Sequence, residues 1–253
     1  RQADNYKVPR MIYVNKMDIM GADFYNVLRM IEERLKCNAV PIQLPIGSED
    51  TFKGIIDLIE MDADIYYDDL GKDIRQEEIP EDMKELAEKY RSEMVEHIVE
   101  QDDEMMEKYF AGEEYSPEEI KKAMKTGIKE GSIYPVMSGS AVDMVGIEQL
   151  LKFIISYTPE PKADPNAPTA IKVFKTVADP FVGKMSYFKV LAGSVKQGDI
   201  LTNKTSGVAE KMSKLYIIKG KKQTEVPEIS AGDIGVVTKL QQTSTKDILS
   251  AGK

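Results

Sequence analysis

The first 157 residues alternate between short apolar runs and apolar positions at helical spacing. The run at residues 11–14 (MIYV) predicts a strand, and after a polar loop a helical stripe predicts a helix. Residues 40–46 and 52–67 predict strands of a small sheet. The stripe that follows the first strand consists of Phe24, Val27, Leu28, Ile31 and Leu35.

Two helices are predicted in the middle of the chain. Apolar positions recur through residues 83–105 and predict one long amphipathic helix. Ser116 and Glu119 form a capping box, and Pro117 stands at the first helical position. This start signal predicts a helix that runs to about Lys129.

A second strand, loop and helix then follow in the same order as the first. Residues 133–137 predict a strand, and residues 138–141 (SGSA) predict a tight loop of small residues. The inner face of the next helix is predicted from Ile147, Leu150, Leu151 and Ile154.

A proline-rich linker separates this part from an all-β part. Residues 159–168 (PEPKADPNAP) contain four prolines and no apolar periodicity, which is typical of a linker. After it, short β runs alternate with glycine turns, as several strands do in a closed barrel. The predicted strands are residues 170–177, 184–192, 200–203, 211–218 and 236–240.

Composition excludes several classes of protein. The chain has 253 residues, a formal net charge of −9, 42% hydrophobic and 30% charged residues, which is typical of a globular protein. One cysteine (Cys37) and one histidine (His97) exclude a disulfide framework and a zinc ribbon. No apolar run reaches the ~20 residues of a membrane span. We expect a cytoplasmic monomer that does not bind membranes.

The first candidate binding loop is Asn15, Lys16, Met17 and Asp18, directly after the predicted strand at 11–14. Open α/β sheets place their ligand loops at such strand ends. An ionised carboxylate such as Asp18 accepts two hydrogen bonds, and guanine offers two adjacent donors, N1–H and the 2-amino group. Against adenine the desolvated carboxylate would stay unpaired, at a cost of about 1–3 kcal/mol. The loop therefore favours guanine.

The other side chains of the first loop also suit a purine. The aliphatic stem of Lys16 can cover one face of the base, and Asn15 can bridge the loop and reach the base edge. A tetrad as short as NKMD also arises by chance as a solvated loop. The second candidate loop, which contains Ser140 and Ala141, argues for a binding site because it too follows a strand and precedes a helix. Its small residues let backbone N–H groups approach guanine O6.

Together these motifs resemble the elongation factor G family, translational GTPases that drive ribosomal translocation. The resemblance covers essentially the whole chain. Its main motifs are NKMD, the acidic segment after it, GSA, the proline linker and DPFVGK at residues 179–184. Residues 215–223 resemble the elongation-factor-G-like paralogue branch. Supporting stretches lie at residues 1–4, 8–10, 21–24, 52–58 and 231–234.

The resemblance implies a fold class and a set of domain boundaries. The fold is an α/β P-loop-type G domain, present as its C-terminal half with an inserted α+β subdomain, followed by an all-β translation-factor barrel. The G domain would take residues 1–36 and 131–160, and the inserted acidic subdomain residues 37–130. Residues 161–168 would be the linker and residues 169–253 the barrel, domain II.

The resemblance also implies the site residues. Asn15, Lys16 and Asp18 would bind the guanine base of GTP or GDP. Ser140 and Ala141 would form the second loop that contacts the base.

Uneven charge suits the partners that the resemblance implies. Residues 60–130 contain 24 acidic and 10 basic residues, and residues 168–253 contain 7 acidic and 14 basic residues. The acidic segment is similar to the inserted subdomain that meets the basic C-terminal domain of the ribosomal stalk protein. The barrel is similar to the domain that contacts small-subunit ribosomal RNA, and its net charge of +7 suits phosphate contacts. Solvated faces without partners would explain the same charges.

The phosphate-binding motif of P-loop enzymes does not occur in this sequence. No GxxxxGK[ST] occurs in the chain, and such a loop with its Mg²⁺ supplies catalysis in P-loop enzymes. The chain begins with Arg1, and we expect it to be a piece of a longer GTP hydrolase that holds the Mg²⁺ ligands elsewhere. The chain alone is predicted to carry no catalytic residue and to hydrolyse no GTP.

Two other functions remain open from the sequence. In a non-catalytic ribosome- or RNA-binding adaptor, the barrel would bind RNA and the base loop would be a vestige. Release-factor or ribosomal-protection GTPases also share the base loop and the barrel. The acidic segment and DPFVGK favour elongation factor G only by resemblance.

Overall fold

In the computed structural model the chain divides into two compact units, Arg1–Pro159 and Glu160–Lys253. No peptide bond among the described residues is cis. The residues that the structure describes are 2–6, 8–68, 70–100, 103–158 and 162–252, so the first three residues of the predicted linker segment 159–168 lie outside them.

The first unit is an α/β unit. Short 3₁₀ turns at Glu49–Thr51 and Glu81–Met83 interrupt its loops. In chain order its elements are α1 (Gln2–Asn5), β1 (Ile12–Val14), α2 (Phe24–Leu35), β2 (Ala39–Pro41), β3 (Gln43–Ile46), β4 (Gly54–Asp57), β5 (Asp62–Tyr66), β6 (Ile74–Glu77), α3 (Lys84–Val99), α4 (Asp103–Ala111), α5 (Pro117–Glu130), β7 (Tyr134–Ser138) and α6 (Ile147–Tyr157).

Two sheets form the frame of this unit. β1, β7 and β2 make a parallel sheet in the order β1-β7-β2, and β3 to β6 make an antiparallel meander. One hydrophobic cluster joins both sheets to the helices, because side chains from all of them are buried together. Its members include Phe24 of α2, Val40 of β2, Leu44 of β3, Met94 of α3, Met124 of α5 and Val136 of β7.

The structure corrects the prediction that residues 40–46 lie in one small sheet. β2 pairs with β7 in the parallel sheet, whereas β3 pairs with β4 in the antiparallel one. The change of partner occurs at Ile42, whose N–H donates to the Val136 carbonyl and whose carbonyl accepts from Leu58 N–H, both at 3.1 Å. Apolar periodicity reports burial and not which strand is the partner.

The prediction of one long helix over residues 83–105 is wrong. α3 ends at Val99, and α4 begins at Asp103. Residues 100–104 (EQDDE), which follow α3 and include the start of α4, contain no apolar side chain that could continue the buried stripe of α3. Of these residues, 101 and 102 lie outside the described part of the chain.

The capping box at the start of α5 is confirmed. Ser116 accepts a hydrogen bond from Glu119 N–H, and the Glu119 carboxylate accepts from Ser116 N–H at 3.0 Å. Pro117 is the first helical residue. The helix ends at Glu130, followed by Gly131 with φ +74°.

The second unit is all-β in its described residues. Its strands are β8 (Ala170–Asp179), β9 (Gly183–Ala192), β10 (Ser194–Lys196), β11 (Ile200–Asn203), β12 (Ala209–Lys211), β13 (Leu215–Lys219), β14 (Lys222–Val226), β15 (Glu228–Ser230), β16 (Ile234–Thr238) and β17 (Ile248–Ser250). Eight of them form one barrel-like sheet in the order β12-β11-β17-β8-β9-β16-β13-β14, and β10 pairs with β15.

One predicted strand of this unit is divided in two. The run at residues 211–218 splits into β12 and β13 around Met212. Met212 is fully buried, and its N–H donates to the Asp199 carbonyl at 2.8 Å. None of the helices in the described ranges combines the length and apolar character of a membrane span.

The cap of α5 gives a stability prediction. Ser116→Ala removes the acceptor for an N-terminal helix N–H and is expected to lower the free energy of unfolding by about 1 kcal/mol. Thr126→Ala on the same helix is the control, because alanine in an exposed helix interior is neutral or slightly stabilising. Urea unfolding of both variants measures the effect. Equal stability of the two variants would contradict it.

Asp57, at the end of β4, gives a pH-dependent prediction. Its Oδ1 accepts from Ile59 N–H (2.7 Å) and Glu60 N–H (3.1 Å), but burial raises the pKa of Asp57 to about 6. Since the folded-state pKa lies above the unfolded value, protonation favours the fold. That contribution is fully present below the unfolded pKa of 3.8 and is lost as the pH rises through about 6.

Asp57→Asn keeps the Oδ1 acceptor and removes the buried charge. We expect the variant and the natural protein to be equally stable at about pH 3, and the variant to be more stable by up to about 3 kcal/mol above pH 7. Urea unfolding across this pH range measures the difference. A difference that does not change with pH would contradict this account.

Candidate functional site

The parallel pairing of β1 with β7 brings the two predicted loops to one edge of the sheet. The register pairs Val14 with Ser138, the last residue of each strand. Gly139 N–H donates to the Val14 carbonyl at 3.0 Å, and Met17 N–H donates to the Gly139 carbonyl at 3.2 Å. The backbone hydrogen bonds between β1 and β7 therefore continue into both loops and hold the loops next to each other.

A side chain joins the loops directly. Asn15 Oδ1 accepts a hydrogen bond from Ala141 N–H at 3.1 Å, between residues 126 positions apart in sequence. Asn15 and Ala141 are both exposed, so the bond lies at the surface where a ligand could meet it.

Met17 anchors the first loop. Its side chain is 1% exposed and belongs to the hydrophobic core of the unit, although its sequence neighbours are polar. Its carbonyl accepts from Glu49 N–H at 2.8 Å, and the Glu49 carboxylate accepts from Gly21 N–H at 2.6 Å. Glu49, in the turn before β4, thus holds both the loop at Met17 and the chain just after the loop at Gly21.

Lys16 is held in a strained backbone conformation. Its φ of +67° lies in the left-handed region, which costs a non-glycine residue free energy. Its side chain is exposed. The anchored Met17 on one side and Asn15 on the other hold this conformation, which leaves the lysine stem free to lie along a ligand.

Asp18 is half-buried and incompletely paired. Its Oδ1 is inaccessible to solvent and has no hydrogen-bond partner. A buried acceptor without a donor costs about 1–3 kcal/mol or more when charged. The residue as a whole is only half-buried, so a ligand with adjacent N–H donors can approach the accessible part of this carboxylate, as the guanine edge would.

Ser140 and Ala141 differ in their surroundings. Ser140 is fully buried, and its hydroxyl donates to Asp143 Oδ2 (3.0 Å) and accepts from Asp143 N–H (3.2 Å). Its side chain therefore shapes the loop from inside. Ala141 and Val142 are exposed, so their backbone is the part of the loop that a ligand could contact.

Gly139 is required by close packing. A Cβ at this position would overlap the Tyr13 hydroxyl and the Val145 carbonyl oxygen. The Tyr13 hydroxyl donates to that carbonyl at 3.3 Å. Burial raises the pKa of Tyr13 to about 12, so the hydroxyl keeps its proton at neutral pH.

Sequence reasoning missed three residues that hold the site: Tyr13, Met17 and Glu49. Met17 carried a signal, because an apolar side chain inside a polar loop predicts burial. Tyr13 was one apolar position of a strand, with no sign of its hydrogen bond. Glu49 lies 28 positions from its partner Gly21, and no local pattern could have related them.

No group of three His, Cys, Asp or Glu side chains in the described parts of the chain could hold a metal ion.

Comparison with known proteins identifies the family. The model of the elongation factor Tu GTP binding domain matches residues 1–160, and that of elongation factor G domain 2 matches residues 168–252. The crystal structure of a Thermus thermophilus protein is similar, with a TM-score of 0.83 and 31% identity over 99% of this chain. This chain spans 37% of that protein's length. The first unit is thus a G domain and the second an elongation factor G domain 2 sheet, and the chain belongs to the translation elongation factor GTPase family.

Proposed function

We propose that the two loops form the guanine-base pocket of a ribosomal translocation GTPase resembling elongation factor G. Asn15, Lys16 and Asp18 of the first loop and Ser140 and Ala141 of the second would bind GTP or GDP. The observation that carries this proposal is the hydrogen bond from Ala141 N–H to Asn15 Oδ1, which joins the second loop to the loop that holds the half-buried, incompletely paired Asp18 carboxylate.

Each residue has a separate role in this proposal. Asp18 accepts from guanine N1–H and the 2-amino group, and the stem of Lys16 covers one face of the base. Asn15 holds Ala141 in place and so sets the distance between the two loops. Ser140 keeps the second loop compact through Asp143, which brings the loop backbone towards guanine O6.

We further propose that the chain supplies the C-terminal half of the G domain, with an inserted α+β subdomain and then domain II. The proposed boundaries are those implied by the resemblance, 1–36 and 131–160, 37–130, 161–168 and 169–253, with one change at the start of the insertion. The parallel order β1-β7-β2 and the separate β3 to β6 meander between β2 and β7 support an insertion. The pairing of β2 with β7 supports a start of that insertion after Pro41 rather than at residue 37.

We propose that the ribosome is the main partner. The acidic segment 60–130 would meet the stalk protein, and the basic second unit would contact small-subunit ribosomal RNA.

The phosphate-binding loop and the Mg²⁺ ligands would come from elsewhere in a longer protein, and the chain alone would be inactive as a GTPase. GTP turnover by the isolated chain that Asp18→Asn abolishes would overturn this last point. The cytoplasmic location and the monomeric state stay predictions.

Asp18→Asn tests the base pocket. An asparagine presents an N–H₂ where guanine presents its own 2-amino donor, so we expect GDP affinity of the full-length protein to fall by roughly 100-fold or more. Xanthine has a carbonyl at that position, which the asparagine amide can bind. The same variant should therefore gain affinity for xanthosine diphosphate. Fluorescence titration with both nucleotides measures the exchange of preference.

Asp50→Asn is the matched control, because it removes an exposed carboxylate near the loop. It should leave the affinities for both nucleotides unchanged. If Asp18→Asn also left the preference for GDP unchanged, the assignment of Asp18 to the guanine edge would be wrong.

A further inference from the structure

A chain of hydrogen bonds connects the antiparallel sheet to the second base loop. The Gly146 N–H donates to the Tyr66 hydroxyl at 2.9 Å, and this hydroxyl donates to Gln149 Oε1 at 2.8 Å. Gln149 Nε2 then donates to Asp64 Oδ2 at 2.6 Å. Tyr66 and Asp64 belong to β5, whereas Gln149 lies in the first turn of α6.

The direction of this chain is fixed at its far end. A carboxylate such as Asp64 can only accept, so the Gln149 amide must turn its N–H₂ to Asp64 and its oxygen to Tyr66. The Tyr66 proton then points to Gln149, which leaves a lone pair for the Gly146 N–H. Burial raises the pKa of Tyr66, so the hydroxyl keeps the proton that this arrangement needs.

Gly146 is linked to the second base loop through the backbone of Val145. It follows Val145, whose carbonyl accepts from Ser140 N–H at 2.9 Å and so closes the loop. A Cβ at Gly146 would lie 2.6 Å from the Ser138 carbonyl oxygen and 2.7 Å from Ile55 Cδ1, and φ is +79°. Because Ser138 and Ile55 already occupy the space beside Gly146, and because Val145 is its chain neighbour, we expect a shift of Gly146 to move Val145 and Ser140 with it.

We propose that Tyr66 is a positioning residue for guanine recognition, which sets the second base loop through Gly146 and thereby ties nucleotide affinity to the β3 to β6 sheet. This inference rests on the proposed function, since it concerns the same base site. Tyr66 touches no ligand in this account. Its hydroxyl holds the loop backbone that faces guanine O6, whereas Asp18 faces N1–H and the 2-amino group from the other loop.

Tyr66→Phe in the full-length protein tests the proposal, because it removes the hydroxyl and keeps the ring. The Gly146 N–H then loses its acceptor, and we expect GDP affinity to fall roughly 5- to 10-fold. The matched control is Tyr67→Phe, which removes the next hydroxyl along the chain, bonded to the exposed Glu77 carboxylate at 2.7 Å. This control should bind GDP as the natural protein does.

Base analogues separate positioning from a general loss of structure. 6-Thio-GDP weakens only the contact at position 6, and inosine diphosphate lacks only the 2-amino group. We expect Tyr66→Phe to reduce the preference for GDP over 6-thio-GDP and to leave the preference over inosine diphosphate unchanged. Gln149→Met, which removes the acceptor for Tyr66, should change the preferences in the same direction by a smaller factor.

The outcomes distinguish this inference from the proposed function. If the natural protein prefers GDP to inosine diphosphate but Tyr66→Phe leaves every affinity unchanged, the positioning role is wrong and the base pocket stands. If Tyr66→Phe lowers all affinities by one factor together with the unfolding temperature, Tyr66 is only structural and the inference is overturned. If the natural protein shows no preference among these nucleotides, the proposed function and this inference both fail.

Discussion

The parallel pairing of β1 with β7 is the constraint on which the site depends. The two strands end level with each other, at Val14 and Ser138, so the loops after them must share one edge of the sheet. The backbone bonds of Gly139 with Val14 and Met17 extend that pairing beyond the strands. Asn15 can reach the Ala141 N–H only because this register holds, and a shift by one residue would separate the two loops.

The antiparallel sheet and the 3₁₀ turn between its strands β3 and β4 complete the support of the site. Glu49 holds Met17 and Gly21 of the first loop, whereas Tyr66 holds Gly146 behind the second. Each loop is therefore tied both to the parallel sheet and to the β3 to β6 region. These contacts on both sides hold the left-handed backbone of Lys16 and the incompletely paired Asp18 carboxylate in place.

Local sequence signals predicted the elements well where the chemistry is local. The helix Phe24–Leu35 followed from its apolar spacing, and the start of α5 followed from its capping box. Non-local pairing could not be predicted in this way. The change of sheet at Ile42 and the contact of Glu49 with Gly21 depend on partners distant in sequence, which periodicity does not report. The candidate binding residues of the two loops were predicted from residue types and stay a prediction, whereas the side chains that hold the loops gave no such signal.

Hydrogen exchange of the full-length protein tests the central claim most directly, that the two loops act as one guanine site. The amides of residues 15–21 and 139–146 would be followed with GDP and with ADP at the same concentrations. We predict that GDP slows exchange in both loops together and that ADP does so in neither. Equal protection by the two nucleotides, or protection of only one loop by GDP, would contradict the claim.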